Sequence, residues 1–483
     1  MDRKDGGMRL VICGGGGFRV PLVHGEVLRR PELGVSEVVL YDSDADRLGV
    51  MLAVLEGQRG SGQGPVLRAE TNLDKALAGA DVVFSAMRVG GLEGRVADER
   101  TALDRGVLGQ ETTGVGGLTY GMRTVPVALE LARTVARVAP EAVVINFTNP
   151  AGLVTEAMQS VLGDRVIGIC DSPLGLANRC ARAVGIPLSD LAIDYAGLNH
   201  LGWLMALRQA DGVDLLPGLL ANDALLDSFE EGALFDHDWL RTLGAIPNEY
   251  LHYWYDTREA IAAILSSETR GEFLAKQQDA FYASAATDPA QAWDLWREVN
   301  RERNETYMAE TRTTARDETD IVSGGYEGVA LALMGALKTA GSSAPEHVGG
   351  PGASVAASGG GPGASVPEPV EGPVRLILNV RNTIGGAPAV PGLPDDAVVE
   401  VPCLVDAAGI RPLPVSALPE HALGLAQQVE ACNRLAIRAA TEHRTDLAVA
   451  ALALHPLIDS VEVAKEILAE VRVHVPELDV ALG

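Results

Sequence analysis

Side chains that could hold a metal ion stand directly after apolar runs in this chain. Cys170 and Asp171 follow the run Arg165-Val-Ile-Gly-Ile169, and His200 lies further along. A thiolate and an imidazole can bind a divalent metal and leave coordination positions open for water or substrate oxygens. Each residue alone also has a plain structural explanation. A cysteine at the end of a strand often fills a small apolar space, and a histidine can be a buried residue whose ring is hydrogen-bonded. As a pair, Cys170 and His200 predict an open, catalytic metal site.

A glycine turn that could cradle a nucleotide follows the first apolar run. Gly14-Gly-Gly-Gly17 comes after the predicted strand Met8–Cys13 and before a helix predicted from about Pro21 to Arg30. A second predicted strand, Glu37–Tyr41, is followed directly by Asp42. An acidic residue at this place would accept hydrogen bonds from the ribose hydroxyls of NAD and repel the phosphate of NADP. Four consecutive glycines depart from the usual spaced fingerprint and by themselves also fit a simple tight turn. With Asp42 the segment predicts an NAD site, whose candidate residues are Gly14, Gly15, Gly16, Gly17, Phe18, Asp42 and Arg88.

The elements that must position these residues alternate between strand and helix. Further strands are predicted at Asp81–Ser85, Ala142–Asn146 and Arg165–Ile169, with helical segments between them. This alternation predicts an α/β fold with a doubly wound parallel sheet of the Rossmann type, like that of lactate and malate dehydrogenases. Ligands of such sheets bind beyond the carboxyl ends of the strands, which is where the candidate residues fall.

The pattern changes after about residue 195, so we predict an NAD-binding domain at 1–195 and a mixed α+β domain at 196–483. Longer helical stretches are predicted at Pro289–Leu337 and Leu423–Arg438, and strands at Val374–Val380 and Ala397–Val401. Between them, residues 341–372 are rich in Gly, Pro, Ala and Ser, and the sequence Gly-Gly-Pro-Gly-Ala-Ser-Val occurs there twice. Such a segment buries too little side chain to offset its ordering entropy, which predicts a disordered surface insertion.

Composition excludes several classes of partner. The chain has 483 residues and a formal net charge of -26, which disfavours nucleic acid and anionic membranes as partners. No apolar run approaches the ~20 residues needed to span a bilayer, and no signal peptide is evident, so we expect a cytoplasmic protein. Five cysteines, irregularly spaced, do not resemble a disulfide framework. Because the chain is strongly acidic, an anionic substrate would need a local basic pocket.

Several ordered motifs resemble glycoside hydrolase family 4, the NAD- and manganese-dependent glycosidases, many of which act on 6-phosphoglycosides. The resemblance covers nearly the whole chain and leaves out only residues 341–372. The motifs are Gly109-Gln-Glu-Thr-Thr-Gly, Asn146-Phe-Thr-Asn-Pro-Ala-Gly, Gly168-Ile-Cys-Asp-Ser-Pro173, Gly197-Leu-Asn-His-Leu-Gly-Trp203, Ile246-Pro-Asn-Glu-Tyr-Leu-His-Tyr253, Leu393-Pro-Asp-Asp-Ala-Val-Val-Glu-Val-Pro402 and Ala451-Leu-Ala-Leu-His-Pro-Leu457.

The resemblance implies a redox-elimination mechanism, which is an exception among glycosidases. NAD would oxidise C3 of the sugar, a base would remove the acidified C2 proton, and the C1 leaving group would depart before water adds and C3 is reduced again. Cys170 and His200 would then hold Mn²⁺ or another divalent metal, which would polarise the oxygens at C2 and C3.

The same resemblance implies roles for individual side chains. Tyr250 would be the catalytic base, with Tyr253 as the fallback, and Glu111 would help to tune it. Asp171 would be the proton donor. The implied substrate-binding residues, for the sugar or its phosphate, are Arg95, Asn149 and Arg270.

The expected activity is that of a 6-phospho-β-glucosidase, although Asp171 matches the proton donor of α-specific relatives and many β-specific members carry asparagine there. A 6-phospho-α-glucosidase and an unphosphorylated α-glycosidase are the alternatives within the family. A lactate- or malate-type dehydrogenase, or a sensor that keeps NAD without turnover, are alternatives of other classes. Family members usually form homodimers or homotetramers, which is the expectation here.

Overall fold

The computed structural model describes residues 7–307, 325–338, 373–406 and 408–483, and the predicted insertion at 341–372 lies outside these ranges. Contacts divide the chain into two compact units. Unit 1 comprises Met1–Gly168, Tyr253–Arg316 and Gln427–Gly483, and unit 2 comprises Ile169–His252 and Asp317–Ala426. These discontinuous units differ from the continuous domains 1–195 and 196–483, which remain a prediction.

Unit 1 contains a parallel sheet in the strand order β3-β2-β1-β4-β5-β6. This is the order of dinucleotide-binding Rossmann sheets, so the predicted doubly wound α/β fold is confirmed. The strands are β1 (Met8–Cys13), β2 (Val35–Tyr41), β3 (Val66–Glu70), β4 (Val82–Ser85), β5 (Val143–Asn146) and β6 (Val166–Gly168).

Helices cover this sheet and form most of the core of unit 1. The long helix α5 packs against α4, α6 and the C-terminal helix α20, and burial of Val125, Leu131, Ile467 and Leu478 places them in one apolar cluster. The helices are α1 (Val20–Arg29), α2 (Ala45–Arg59), α3 (Leu73–Leu77), α4 (Gly91–Leu103), α5 (Val115–Val138), α6 (Ala151–Leu162), α13 (Thr257–Leu265), α14 (Arg270–Thr287), α15 (Ala292–Glu305), α18 (Thr445–Ala453), α19 (Val461–His474) and α20 (Pro476–Leu482).

Unit 2 is built on an antiparallel sheet in the order β10-β11-β7-β8-β9, with β12 paired to β11. The predicted mixed α+β fold is therefore confirmed. The strands are β7 (Ala192–Leu198), β8 (Leu201–Arg208), β9 (Ile246–Pro247), β10 (Val374–Arg381), β11 (Val398–Asp406) and β12 (Gly409–Pro412). The helices are α7 (Ser172–Ala183), α8 (Leu216–Leu220), α9 (Asp223–Leu226), α10 (Glu230–Leu234), α11 (His237–Leu243) and α16 (Tyr326–Lys338).

Two helices cross the boundaries between units, α12 (His252–Tyr255) and α17 (Glu420–Glu442). The predicted stretch Leu423–Arg438 lies inside α17. The predicted stretch Pro289–Leu337 contains α15 and all of α16 except Lys338, but its first residues, Pro289–Gln291, form a 3-10 turn. Residues 308–324 of that stretch lie outside the described ranges. None of the described helices combines the length and the apolar character needed to cross a bilayer.

Candidate active site

The glycine turn lies between β1 and α1 and packs against the ends of the neighbouring strands β2 and β4. The N–H of Gly14 donates to the carbonyl of Tyr41 at 2.9 Å. Gly14 has φ +87°, and a Cβ there would lie 2.4 Å from the carbonyl oxygen of Ala86, so only glycine fits. The Gly16 N–H donates to Oδ2 of Asp42 at 3.0 Å. The sequence-predicted cofactor residues Gly14–Phe18 and Asp42 are thus brought together in one corner of unit 1.

Two aromatic side chains from α14 and α15 form hydrogen bonds with the same turn, and neither was predicted from the sequence. The Tyr282 hydroxyl donates to the Gly16 carbonyl at 2.6 Å, and Trp296 Nε1 donates to the Phe18 carbonyl at 2.7 Å. The Phe281 ring meets the Phe18 ring edge-on, with centroids 5.4 Å apart. These contacts span more than 260 residues of sequence, which is why local patterns cannot reveal them.

Glu111 gathers two of the predicted arginines. Arg95 Nη1 donates to Oε2 of Glu111 at 2.8 Å, and Arg88 forms an ion pair with the other carboxylate oxygen. Although burial alone would raise the pKa of Glu111, Arg88 and Arg95 hold it well below its ordinary value. Arg95 also bonds Oε1 of Glu99 at 2.7 Å, and Glu99 accepts the N–H of Gly271 at 2.9 Å. Glu99 therefore joins α4 to the first turn of α14.

Arg270 begins α14 and bonds the end of α15. Its guanidinium donates to the Arg303 carbonyl at 2.8 Å and to the Thr306 hydroxyl at 2.9 Å. Burial lowers the pKa of Arg303 well below its ordinary value, and the positive charges of Arg19, Arg270 and Arg88 lower it further. Arg303 was not among the predicted residues. It belongs to a local concentration of positive charge in an otherwise acidic chain.

Asn149 stands half-buried in the loop after β5, before a cis peptide bond to Pro150. Asn146 shapes this loop. Its Nδ2 donates to the carbonyls of Thr148 at 3.2 Å and Ala151 at 3.3 Å, and its Oδ1 accepts the Thr148 N–H at 3.1 Å. Because Asn146 is fully buried, it positions the loop, while Asn149 is the asparagine available to a ligand.

In unit 2, the predicted metal ligand His200 contacts the predicted base. The imidazole ring stacks on the Tyr250 ring with centroids 3.7 Å apart and an interplanar angle of 2°. His200 occupies the β7–β8 turn with φ +61°, a conformation that non-glycine residues seldom adopt and that commonly marks a functional constraint. Tyr250 lies in a 3-10 turn, and its backbone N–H donates to Asn248 Oδ1 at 3.1 Å. Asn248 in turn donates its N–H to the Gly202 carbonyl of β8 at 2.9 Å.

Cys170 lies in an acidic, buried environment. Its Sγ is 4.0 Å from Oδ1 of Asp171, which stands at the N-cap position of α7. Burial raises the pKa of the Cys170 thiol, and the charges of Glu400 and Asp171 raise it further. A bound cation would reverse this effect and favour the thiolate. A thiol beside a carboxylate is a pair of side chains that a divalent metal can bind.

Two buried glutamates of unit 2 were not predicted. Glu249 accepts the Ser172 hydroxyl at 2.6 Å, and burial, with the charge of Glu231, raises the pKa of Glu249 to about 7. Burial also raises the pKa of Glu400 to about 7, and Asp171 adds to the effect. Glu400 lies inside the motif Leu393–Pro402, to which no role was assigned from the sequence.

The metal candidates form an incomplete ligand set. Across residues 7–307, 325–338, 373–406 and 408–483, no three or more His, Cys, Asp or Glu side chains are arranged to hold a metal ion. Cys170 and His200 would leave the remaining coordination positions to water or substrate, as in catalytic rather than structural sites.

Comparison with known proteins adds to this geometry. The family model "Family 4 glycosyl hydrolase" matches residues 9–186, and the model "Family 4 glycosyl hydrolase C-terminal domain" matches residues 195–344 and 370–458. A probable 6-phospho-beta-glucosidase of Bacillus subtilis (strain 168) is 30% identical over 476 residues, which cover 96% of this chain and 95% of the relative.

Two solved structures have a similar fold along nearly their whole length. The 6-phospho-beta glucosidase from Thermotoga maritima, solved with manganese, NAD+ and glucose-6-phosphate, has a TM-score of 0.74 and 25% identity, over 96% of this chain and 98% of that one. A 6-phospho-alpha-glucosidase from gut microorganisms, in complex with NAD and glucose-6-phosphate, has a TM-score of 0.76 and 26% identity, over 97% of this chain and 98% of that one.

Proposed function

The chain belongs to the family 4 glycosyl hydrolases, and we propose that it is an NAD- and Mn²⁺-dependent 6-phospho-β-glucosidase that cleaves its substrate by redox elimination. The observation that carries the proposal is the face-to-face contact between His200 and Tyr250 at 3.7 Å. It joins a candidate metal ligand to a candidate base, and a base beside a residue that would hold a Lewis acid suits removal of a proton from C2 of a sugar.

The residues present fit both cofactors. The turn at Gly14–Phe18 has no room for side chains at its first glycines, and α1 begins directly after it, which suits a dinucleotide phosphate. Cys170 and His200 would hold the metal. Bound at these places, NAD+ would supply the hydride acceptor for C3 and Mn²⁺ would supply a Lewis acid for the C2 and C3 oxygens.

The chain's own side chains would move the protons. Tyr250 takes the proton from C2 once C3 is oxidised, and returns it when water has added to C1. The stack with His200 holds the phenol ring in place, and a cation held by His200 would lower the barrier to losing the phenolic proton. Asp171, at the start of α7, gives its proton to the departing C1 oxygen and recovers one from the attacking water.

The local concentration of arginine supports a phosphorylated substrate. Arg88, Arg95, Arg270 and Arg303 all lie in unit 1, and the carboxylate of Glu111 pairs with both Arg88 and Arg95. A phosphate can accept paired hydrogen bonds from a guanidinium and would satisfy the excess positive charge. Because the whole chain carries a formal charge of -26, this cluster is the feature that makes an anionic sugar plausible.

The β anomer is supported by the 30% identical relative, whereas the similar α-glucosidase structure and Asp171 favour the α alternative. The deciding experiment is an assay of p-nitrophenyl α- and β-glucosides, each with and without a 6-phosphate, in the presence of NAD, Mn²⁺ and a thiol. We expect release from the 6-phospho-β-glucoside without net formation of NADH. No release from any of the four would refute a glycosidase, and net NADH formation would favour a dehydrogenase.

We also propose that the enzyme works in the cytoplasm as a homodimer or homotetramer. Among the described helices none could span a membrane, which supports a location away from the bilayer. Light scattering coupled to size-exclusion chromatography would test the assembly, and a monomer at assay concentration would contradict it.

A further inference from the structure

Glu400 is a fully buried carboxylate at the centre of the unit 2 sheet. Its Oε1 accepts Asn379 Nδ2 at 2.9 Å and Asn199 Nδ2 at 3.2 Å, and its Oε2 accepts the Tyr195 hydroxyl at 3.0 Å. These donors come from β10, from the β7–β8 turn and from β7. One side chain of β11 therefore ties together three neighbouring parts of the sheet.

The three donors are all neutral, so their hydrogen bonds do not cancel the charge of the carboxylate. Among the described residues, no arginine, lysine or histidine side chain bonds Glu400. A buried charge without a cationic partner is costly and is normally retained only when something compensates for it. Asn199, which donates to this carboxylate at 3.2 Å, directly precedes the predicted metal ligand His200 in the sequence. A divalent cation on the predicted ligands would provide the missing positive charge.

Backbone packing explains how Glu400 reaches the turn. Glu400 is paired with Gly197 in the register between β11 and β7. A Cβ at Gly197 would lie 2.1 Å from the Leu201 carbonyl oxygen, and one at Gly202 would lie 2.3 Å from the Tyr195 hydroxyl. The close hairpin lets Tyr195 cross Gly202 to the carboxylate. The turn that follows places Asn199 on Glu400 and leaves His200 at φ +61°.

We propose that Glu400 is a positioning residue for the metal centre: through Asn199 it fixes the turn that presents His200, and its negative charge favours a divalent cation on Cys170 and His200. This role rests on the proposed function, because it presupposes that these two residues bind a metal. Removing a residue that orients a metal-binding side chain commonly weakens metal binding by about 10- to 100-fold.

The test is direct titration of Mn²⁺ into the full-length, reduced protein, with free Mn²⁺ followed by electron paramagnetic resonance and no substrate present. Glu400→Gln keeps the size of the side chain and an acceptor oxygen but removes the charge. We expect its Kd for Mn²⁺ to rise by about tenfold or more. The Kd for NAD, measured by fluorescence, should stay at the wild-type value. Cys403→Ala on the same strand is the matched control and should bind both like the wild type.

Asn199→Ala removes the link to the turn and leaves the carboxylate in place, so it separates the two parts of the proposal and serves if Glu400→Gln does not fold. We expect this variant also to weaken Mn²⁺ binding, and the double variant to lose less than the product of the two single effects. Wild-type affinity for Mn²⁺ in Glu400→Gln would overturn the role of Glu400. Failure of the wild-type protein to bind Mn²⁺ would instead contradict the proposed function.

Discussion

At the scale of single residues, Tyr250 is the base candidate that contacts a candidate metal ligand. Tyr250→Phe keeps the ring and its stack with His200 but removes the phenolic oxygen. Because general-base catalysis commonly contributes about 10²- to 10⁴-fold, we expect kcat to fall by that order. Exchange of the C2 hydrogen with solvent, followed by NMR in deuterated water, should be suppressed.

Tyr253 provides the matched control, since it is the fallback base and lies three positions along the same segment. It is buried, and Tyr253→Phe should leave C2 exchange close to the wild-type rate. Normal exchange in Tyr250→Phe together with lost exchange in Tyr253→Phe would reverse the assignment.

Arg303 carries the prediction about phosphate. Its guanidinium stands 5.9 Å from the Phe18 ring and shares unit 1 with Arg88 and Arg270. If Arg303 binds the 6-phosphate, Arg303→Gln should raise KM for the phosphorylated substrate by about 10- to 100-fold. This increase corresponds to the loss of a charged hydrogen bond, which contributes about 1.5–3 kcal/mol. Turnover at saturation should change much less, as expected for loss of uniform binding.

Arg301 is the control for this change, because it lies on the same helix but is exposed and pairs with Glu305 at 2.7 Å. Arg301→Gln should keep the wild-type KM. An unchanged KM in Arg303→Gln, or an equal rise for an unphosphorylated glucoside, would remove Arg303 from the phosphate site.

At the scale of elements, the sequence predicted strands well where they are short apolar runs bounded by glycine or polar residues. The predicted strand Met8–Cys13 matches β1, and the predicted strand Asp81–Ser85 differs from β4 by one residue. It missed β3, whose residues are half-exposed or exposed and show no apolar run. No strand was predicted for the β7–β8 hairpin either.

The candidate site was predicted in the same uneven way. Cys170, His200 and Tyr250 stand in local motifs, and the structure brings His200 and Tyr250 into contact. Glu400 and Tyr282 could not be found from the sequence, because each acts through a hydrogen bond to a residue more than 200 positions away. Only the fold creates those neighbours, and an isolated glutamate or tyrosine carries no sign of its partner.

The pair of helices α14 and α15 makes an element-scale prediction about the nucleotide turn. Tyr282 and Trp296 bond the carbonyls of Gly16 and Phe18 and so hold the turn in one shape. Tyr282→Phe and Trp296→Phe should each raise the Kd for NAD by about fivefold, the equivalent of about 1 kcal/mol for one net hydrogen bond. Quenching of intrinsic fluorescence or calorimetry would measure it.

Trp293 separates this effect from simple loss of an indole. It stacks on Trp296 with centroids 5.2 Å apart but has no hydrogen bond to the glycine turn among the described residues. Trp293→Phe should therefore bind NAD like the wild type. If all three variants lose affinity equally, packing of α15 and not the two hydrogen bonds supports the turn.

At the scale of the whole molecule, His455 should influence acid stability. It is buried between α18 and α19, its Nδ1 accepts the Leu457 N–H at 3.3 Å, and its ring lies 5.1 Å from that of Trp254. Burial lowers the pKa of His455 to about 3. The folded protein therefore keeps this imidazole neutral at pH values where the unfolded chain, with a pKa of about 6.5, already binds a proton.

The sign of the effect follows from proton binding. Between about pH 6.5 and pH 3 the unfolded state binds more protons at His455 than the folded state, so the free energy of unfolding falls as pH falls, by on the order of 5 kcal/mol at the limit. Glu249 and Glu400, whose pKa values are raised to about 7, act in the opposite direction between about pH 7 and pH 4.5. A net pH profile would mix these contributions, so the comparison must be between variants.

His455→Asn offers an oxygen in place of Nδ1 to accept the Leu457 N–H and does not titrate. Its free energy of unfolding, from urea denaturation in EDTA, should decline less steeply than that of the wild type between about pH 6.5 and pH 4. His421→Asn, at an exposed position, should follow the wild-type slope. Parallel profiles for His455→Asn and the wild type would mean that the imidazole is charged within the folded core. The loss of stability in acid would then have to arise from carboxylates whose pKa is lowered in the folded protein, such as Glu111 and Glu272, because Glu249 and Glu400 act in the opposite direction.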